Sequence, residues 1–84
     1  MTSNDPRTLA LGAVIRDAAE DQGITLTDLA KRAGISRATL YNWTDGNSAP
    51  TLVGLTRVAD VLRIEPSELL HRGEDRARGS QRQV

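Results

Sequence analysis

The chain has 84 residues, 38% of them hydrophobic, with no cysteine and equal numbers of basic and acidic groups, so its formal net charge is zero. At this length folding buries only about 60–65% of the unfolded surface, which allows one domain around one modest core. The missing cysteines exclude a disulfide framework and a thiolate metal site, and the neutral balance argues against strong nonspecific binding to nucleic acid, which rests on Lys and Arg neutralising phosphates.

Residues 1–8, MTSNDPRT, are polar and contain a proline, and they read as a mobile N-terminal arm. They lack the charged-then-apolar order of a signal peptide, and no apolar run approaches the roughly 20 residues that cross a membrane. A cytoplasmic protein is expected. From Leu9 to about Asp21 the pattern suits a helix, with Leu11, Val14, Ile15 and Ala18 on one face and Arg16, Asp17, Glu20 and Asp21 on the other. Gly23 ends it, and Ile24 precedes Thr25 as a hydrophobic staple precedes a cap.

The stretch Thr25–Gly46, TLTDLAKRAGISRATLYNWTDG, reads as two short helices joined by a tight turn. Thr25 and Asp28 are spaced as a capping box, with Asp in place of the usual Glu or Gln. Leu29, Ala30 and Ala33 recur at helical spacing before Gly34, which enters the left-handed conformation without a Cβ penalty. Ile35 plugs the corner, Ser36 caps the second helix, and Leu40 and Trp43 are its inward residues. The loop Asp45–Pro50 is dense in turn-formers. Thr51 then caps a fourth helix, to about Leu62, whose expected core stripe is Leu52, Leu55, Val58, Ala59 and Leu62. Gly54 inside it costs about 1 kcal/mol relative to Ala unless a neighbour comes close. Pro66 opens a fifth helix, to about His71, with Leu69 on the core. Residues 73–84 are too polar to bury and are expected to be disordered. The domain proper is therefore 9–72.

Catalysis is not expected. The only histidine, His71, sits beside Arg72 on a polar helix end, and no nucleophile pair, metal-ligand cluster or phosphate-cradling glycine loop can be assembled. No cofactor and no small-molecule ligand is implied.

Helix, glycine turn, apolar plug and capped helix form a helix-turn-helix, and the landmarks around it extend the pattern. Thr25, Leu29-Ala30, Gly34-Ile35-Ser36, Gly46, Pro50, Ala59, Leu62-Arg63-Ile64 and Leu69 resemble the lambda-repressor/Cro (C1/Cro, XRE-like) family of DNA-binding domains over about residues 9–71. The resemblance implies an all-α, compact five-helix domain with a central helix-turn-helix, cytoplasmic and of bacterial or phage origin. It implies a sequence-specific transcriptional regulator, a repressor, that binds double-stranded DNA and associates with the nucleoid when bound. The alternative is a protein-interaction module on the same fold, antitoxin-like or accessory, with little DNA affinity of its own.

On a helical wheel Ala38, Tyr41 and Asn42 lie opposite Leu40 and Trp43, with Arg37 and Thr39 on the flanks. The N-terminal residues of such a helix reach base edges in a major groove. Arg37 can donate two hydrogen bonds to a guanine, Asn42 can pair bidentately with an adenine, and Ala38 and the Thr39 methyl can touch a thymine methyl. These four positions match those the family uses for base reading. Backbone contacts are expected from Thr27, Ser36, Tyr41, Asn47 and Ser48 and from the first amides of the Thr25-capped helix.

Three departures from the family pattern stand out. Ala19 and Thr44 replace an Arg and a Glu that often form a partly buried ion pair; losing both together strands no charge. Leu26 replaces a Gln that commonly contacts phosphate, and Asp45-Gly46-Asn47-Ser48 replaces a basic loop. Finally, Val53 and Val61 flank Arg57 at spacings of four, and Leu70 adds another apolar candidate. A weak homodimer through Val53, Val61 and Leu70, formed mostly on a palindromic operator, is the expectation.

Overall fold

Helix starts in this chain are set by short side chains that accept from the first free amides. The computed structural model describes residues 5–81 and holds five helices, with no strand among the described residues: α1 (Pro6–Asp21), α2 (Leu26–Ala33), α3 (Arg37–Thr44), α4 (Leu52–Leu62) and α5 (Pro66–Gln81). Thr25 accepts from the Asp28 amide at 3.1 Å, Ser36 from Thr39 at 3.0 Å and Thr51 from Gly54 at 3.0 Å. The Thr25 capping box is one-sided, however. The Asp28 carboxylate turns away from the cap and meets Arg32 Nε at 3.0 Å, one turn on along the same face.

The ends of α1 to α4 share one closure. A left-handed residue is followed by one whose amide reaches back to the helix: Ile24 to Ala19 at 2.8 Å, Ile35 to Ala30 at 3.0 Å, Asn47 to Asn42 at 2.8 Å and Ile64 to Ala59 at 3.1 Å. The left-handed residues are Gly23, Gly34 and Gly46, and at the end of α4 it is Arg63, at φ 59°. A non-glycine residue there costs about 1–2 kcal/mol. In this closure an apolar side chain normally packs back on the helix. Ile24, Ile35 and Ile64 do so against the core. Only α3 is followed by a polar residue, Asn47.

The core gathers on Ile15, Leu29, Leu40, Val58, Leu62 and Leu69, all fully buried, with Trp43 beside them. Two glycines let α3 in. A Cβ on Gly12 would lie 2.1 Å from the Trp43 carbonyl oxygen, so α1 and α3 meet backbone to backbone. A Cβ on Gly54 would lie 2.3 Å from the Trp43 ring, so the indole occupies the place of a side chain on α4. The helix-propensity loss at Gly54 is the cost of seating the indole.

Both termini and part of the fourth helix depart from the sequence reading. The first helix begins at Pro6, not Leu9: proline suits a first helical position, and Asp5 accepts from the Arg7 amide at 2.7 Å. Residues 1–4 of the expected arm lie outside the described residues. The fifth helix does not stop at His71 but runs to Gln81, so most of the expected disordered tail is helical. Its polarity hid the reason. Gly73 lies against Leu11, with a hypothetical Cβ 3.3 Å from the Leu11 Cα, and Ala77, one turn on, is buried, so small residues let α5 lie close along α1. Arg76 bridges to Asp17 at 3.0 Å, while His71 and Arg78 meet Asp75 and Arg72 meets Glu68 within the helix. Residues 82–84 lie outside the description. On α4, Leu52 is 76% exposed rather than buried, because the inward stripe starts one turn later at Leu55.

The α1–α5 seam makes a checkable claim about the C-terminal segment. Ala77→Glu should lower the unfolding free energy by about 1–3 kcal/mol, the usual cost of overpacking a tight contact, measured by urea denaturation; an unchanged midpoint would return the segment after Gly73 to a free tail.

Candidate nucleic-acid interface

α3 is eight residues long, and its two faces have opposite fates. Leu40 and Trp43 are buried, whereas Arg37, Ala38, Tyr41 and Asn42 are exposed, so the outward set matches the wheel. Among the described residues the Arg37 and Asn42 side chains have no internal hydrogen bond or ion pair, and their donors and acceptors face outward unspent. Thr39 is half-buried, and its hydroxyl takes a hydrogen bond from Ser36 Oγ at 2.8 Å. That bond orients the Thr39 methyl and fixes the first turn of the helix, so Ser36 both caps α3 and positions Thr39, one of its base-facing candidates.

The expected backbone contacts surround this face unevenly. Thr27 is exposed at the second position of α2, beside amides that α2 itself leaves unpaired. Leu26 is half-buried against the core, which is why no polar side chain is needed there. Tyr41 is 39% exposed, pointing away from Trp43. Asn47 and Ser48 are held where they are by their amides, both of which reach the Asn42 carbonyl, at 2.8 and 3.3 Å. The loop that would carry backbone contacts is thus bonded to the helix that would carry base contacts. Thr44, where the family often has Glu, is buried with its hydroxyl donating to the Tyr41 carbonyl at 3.2 Å, so its own polar atom is not stranded.

The expected dimer stripe does not form one patch. Val53 is 63% exposed but borders an open groove between α4 and the α2–α3 turn. Val61 is half-buried and packs against the core. Leu70 is 45% exposed and lies elsewhere, on a groove shared with Leu52, Leu11 and Leu55. The spacing of four was correct as helix geometry, but α4 turns Val61 toward its neighbours. Two features escaped the sequence reading. Leu52 faces out beside Leu70, and Arg57 faces the groove by the turn. Neither position has a local signal; both depend on how α4 is rotated by Trp43 under Gly54.

Among the described residues no group of three His, Cys, Asp or Glu side chains could hold a metal, and no helix is long and apolar enough to cross a membrane.

Comparison with known proteins adds the family context. The model of the Cro/C1-type HTH DNA-binding domain matches residues 14–75. Two proteins of Mycobacterium tuberculosis, strains CDC 1551 and H37Rv, each named an uncharacterized HTH-type transcriptional regulator, are 40% identical over 81 residues. The match covers 88% of this chain and 40% of theirs, so the chain spans well under half the length of these relatives. The clp gene regulator ClgR from Corynebacterium glutamicum superposes with a TM-score of 0.84 at 23% identity, over 92% of this chain and 82% of that one. The biofilm regulator SinR, solved in complex with DNA, superposes with a TM-score of 0.68 at 26% identity, over 71% of this chain and 97% of its own.

Ser36→Ala should lower stability by about 1 kcal/mol, the ordinary loss of an N-cap, in a thermal or urea melt. The Thr39 hydroxyl loses its partner in the same variant, so an unaltered melt would show that the cap contributes nothing.

Proposed function

Because the chain belongs to the Cro/C1-type helix-turn-helix DNA-binding domain family, we propose that α3 enters the major groove of double-stranded DNA and reads a specific sequence there. The observation that carries this is the outward face of α3, where Arg37, Ala38 and Asn42 are exposed, the Arg37 and Asn42 side chains having no partner among the described residues, on a helix clamped from behind by Leu40 and Trp43. Arg37 pairs bidentately with a guanine, Asn42 with an adenine, and Ala38 and the Thr39 methyl pack on thymine methyls. Thr27, Ser36, Tyr41, Asn47, Ser48 and the free amides of α2 hold phosphates and set the register without reading sequence. The DNA complex of SinR, which shares the fold over 97% of its chain, supports DNA as the partner.

The regulatory role is repression in the cytoplasm. Occupancy of a site is enough to block other proteins from it, and this surface provides occupancy. No catalytic step is assigned. One α3 reaches few base pairs, and helix-turn-helix proteins commonly place two copies one helical turn apart, so the site is palindromic and the bound form a homodimer. Of the residues expected at that contact, Leu70 is retained and Leu52 is added, since these two exposed leucines border one apolar groove. Val53 and Val61 are not part of it.

Selection from a random duplex library gives the site. On it, Arg37→Ala should cost about 1–3 kcal/mol and relax preference at one base position. A loss equal across all duplexes would make Arg37 a phosphate contact and overturn the base assignment. For the dimer, Leu70→Glu should leave the melt intact and abolish cooperative binding in sedimentation with the selected duplex; full cooperativity would place the contact elsewhere.

A further inference from the structure

We propose that Arg57 is a phosphate ligand, extending the DNA-binding surface from the helix-turn-helix onto α4. The inference rests on the DNA-binding reading above and adds a residue that neither the motif nor its spacing selects.

Arg57 is exposed on α4, yet its side chain is directed at the helix-turn-helix. Its Nη1 lies 3.4 Å from where a Cβ on Gly34 would stand, which places the guanidinium over the turn that joins α2 to α3. The missing side chain at Gly34 leaves that space open. Ser36, Thr39 and Ser48 line the same open groove as Arg57, and Trp43 and Gly54 lie beneath it. A cation from the fourth helix is thereby set across a groove from the hydroxyls at the start of α3 and in the following loop.

The charge pattern shows what it is available for. Arg32, Arg72, Arg76 and Arg78 each meet a carboxylate. Arg57 meets none among the described residues, so its charge is not spent within the protein. The loop Asp45–Pro50 contains Asp45 and no Lys or Arg. A phosphate bordering Ser36 and Ser48 would otherwise find hydroxyls and amides and no cation within that loop. A guanidinium is suited to the place, because its planar fork can hold two oxygens of one phosphate diester.

A purely structural role is the competing account: a guanidinium near the end of α2 also interacts favourably with the C-terminal end of that helix. The two accounts differ in what they make salt-dependent. The test measures affinity of the full chain for its selected duplex and for an unrelated duplex over a salt series, with thermal melts of each variant. Arg57→Gln should weaken both duplexes by the same factor and make the slope of log K against log salt shallower by about one. The melting midpoint should stay put, and Arg57→Lys should restore the slope. Arg63→Gln, at the far end of α4, should leave both slope and affinity unchanged. An unchanged slope overturns the proposal. So does a loss confined to one base position, or a lowered midpoint with the slope intact. If the parent binds no duplex, the DNA-binding reading fails and this inference with it; if the parent binds and Arg37→Ala behaves as a base contact, only the Arg57 assignment is at stake.

Discussion

The seat of Trp43 determines the rest of this structure. Its carbonyl rests where a Gly12 side chain would be, and its indole rests where a Gly54 side chain would be. One residue thus fixes α3 against α1 by backbone and against α4 by ring. Dense packing makes such a contact selective, since a change of one methyl group on either glycine would require something to move. The orientation of α3 follows from it, and with it the direction of Arg37, Ala38 and Asn42. The rotation of α4 follows too, which sends Leu52 out and Arg57 toward the turn.

With no net charge, the chain divides its basic side chains between paired and unpaired ones. On α5, Arg76 is tied to Asp17 of α1 across the seam, and Arg72 and Arg78 are tied to carboxylates of α5 itself, each a surface pair of modest worth. Lys31, Arg37 and Arg57, around the helix-turn-helix, meet no carboxylate among the described residues, and neither do Arg7, Arg16 and Arg63 elsewhere, while Arg32 on α2 meets Asp28. The closures of the helices divide in the same way. Where α1, α2 and α4 end, an isoleucine turns into the core; where α3 ends, Asn47 stays exposed. One backbone motif thus provides either core or surface, depending on the side chain after the left-handed residue.

Most of the fold was legible because its signals are local. Caps at Thr25, Ser36 and Thr51, left-handed glycines, and inward residues at helical spacing are properties of a few neighbouring residues. The outward face of α3 was legible for the same reason, since a wheel needs only Leu40 and Trp43 as its reference. What was misread depends on contacts distant in the chain. The polar segment after Gly73 is helical because α1 offers it a close surface, and no composition rule sees that. Pro6 begins α1 because Asp5 caps it, a short signal masked by the polarity around it. Leu52 and Val61 rest on spacing alone in the sequence, and the indole under Gly54 decides which way each one points.

On the reading proposed above, the exposed face of α3 and the groove beside it meet DNA. The most direct measurement is an NMR titration of the labelled chain with its selected duplex, following the assigned backbone amides and the arginine side-chain N–H groups. The shifts should concentrate on Arg37–Asn42, Thr27, Asn47, Ser48 and the Arg37 and Arg57 guanidinium groups. The polar face of α1 around Arg16 and Glu20 should stay silent. Shifts centred on that face, with α3 unaffected, would contradict that reading.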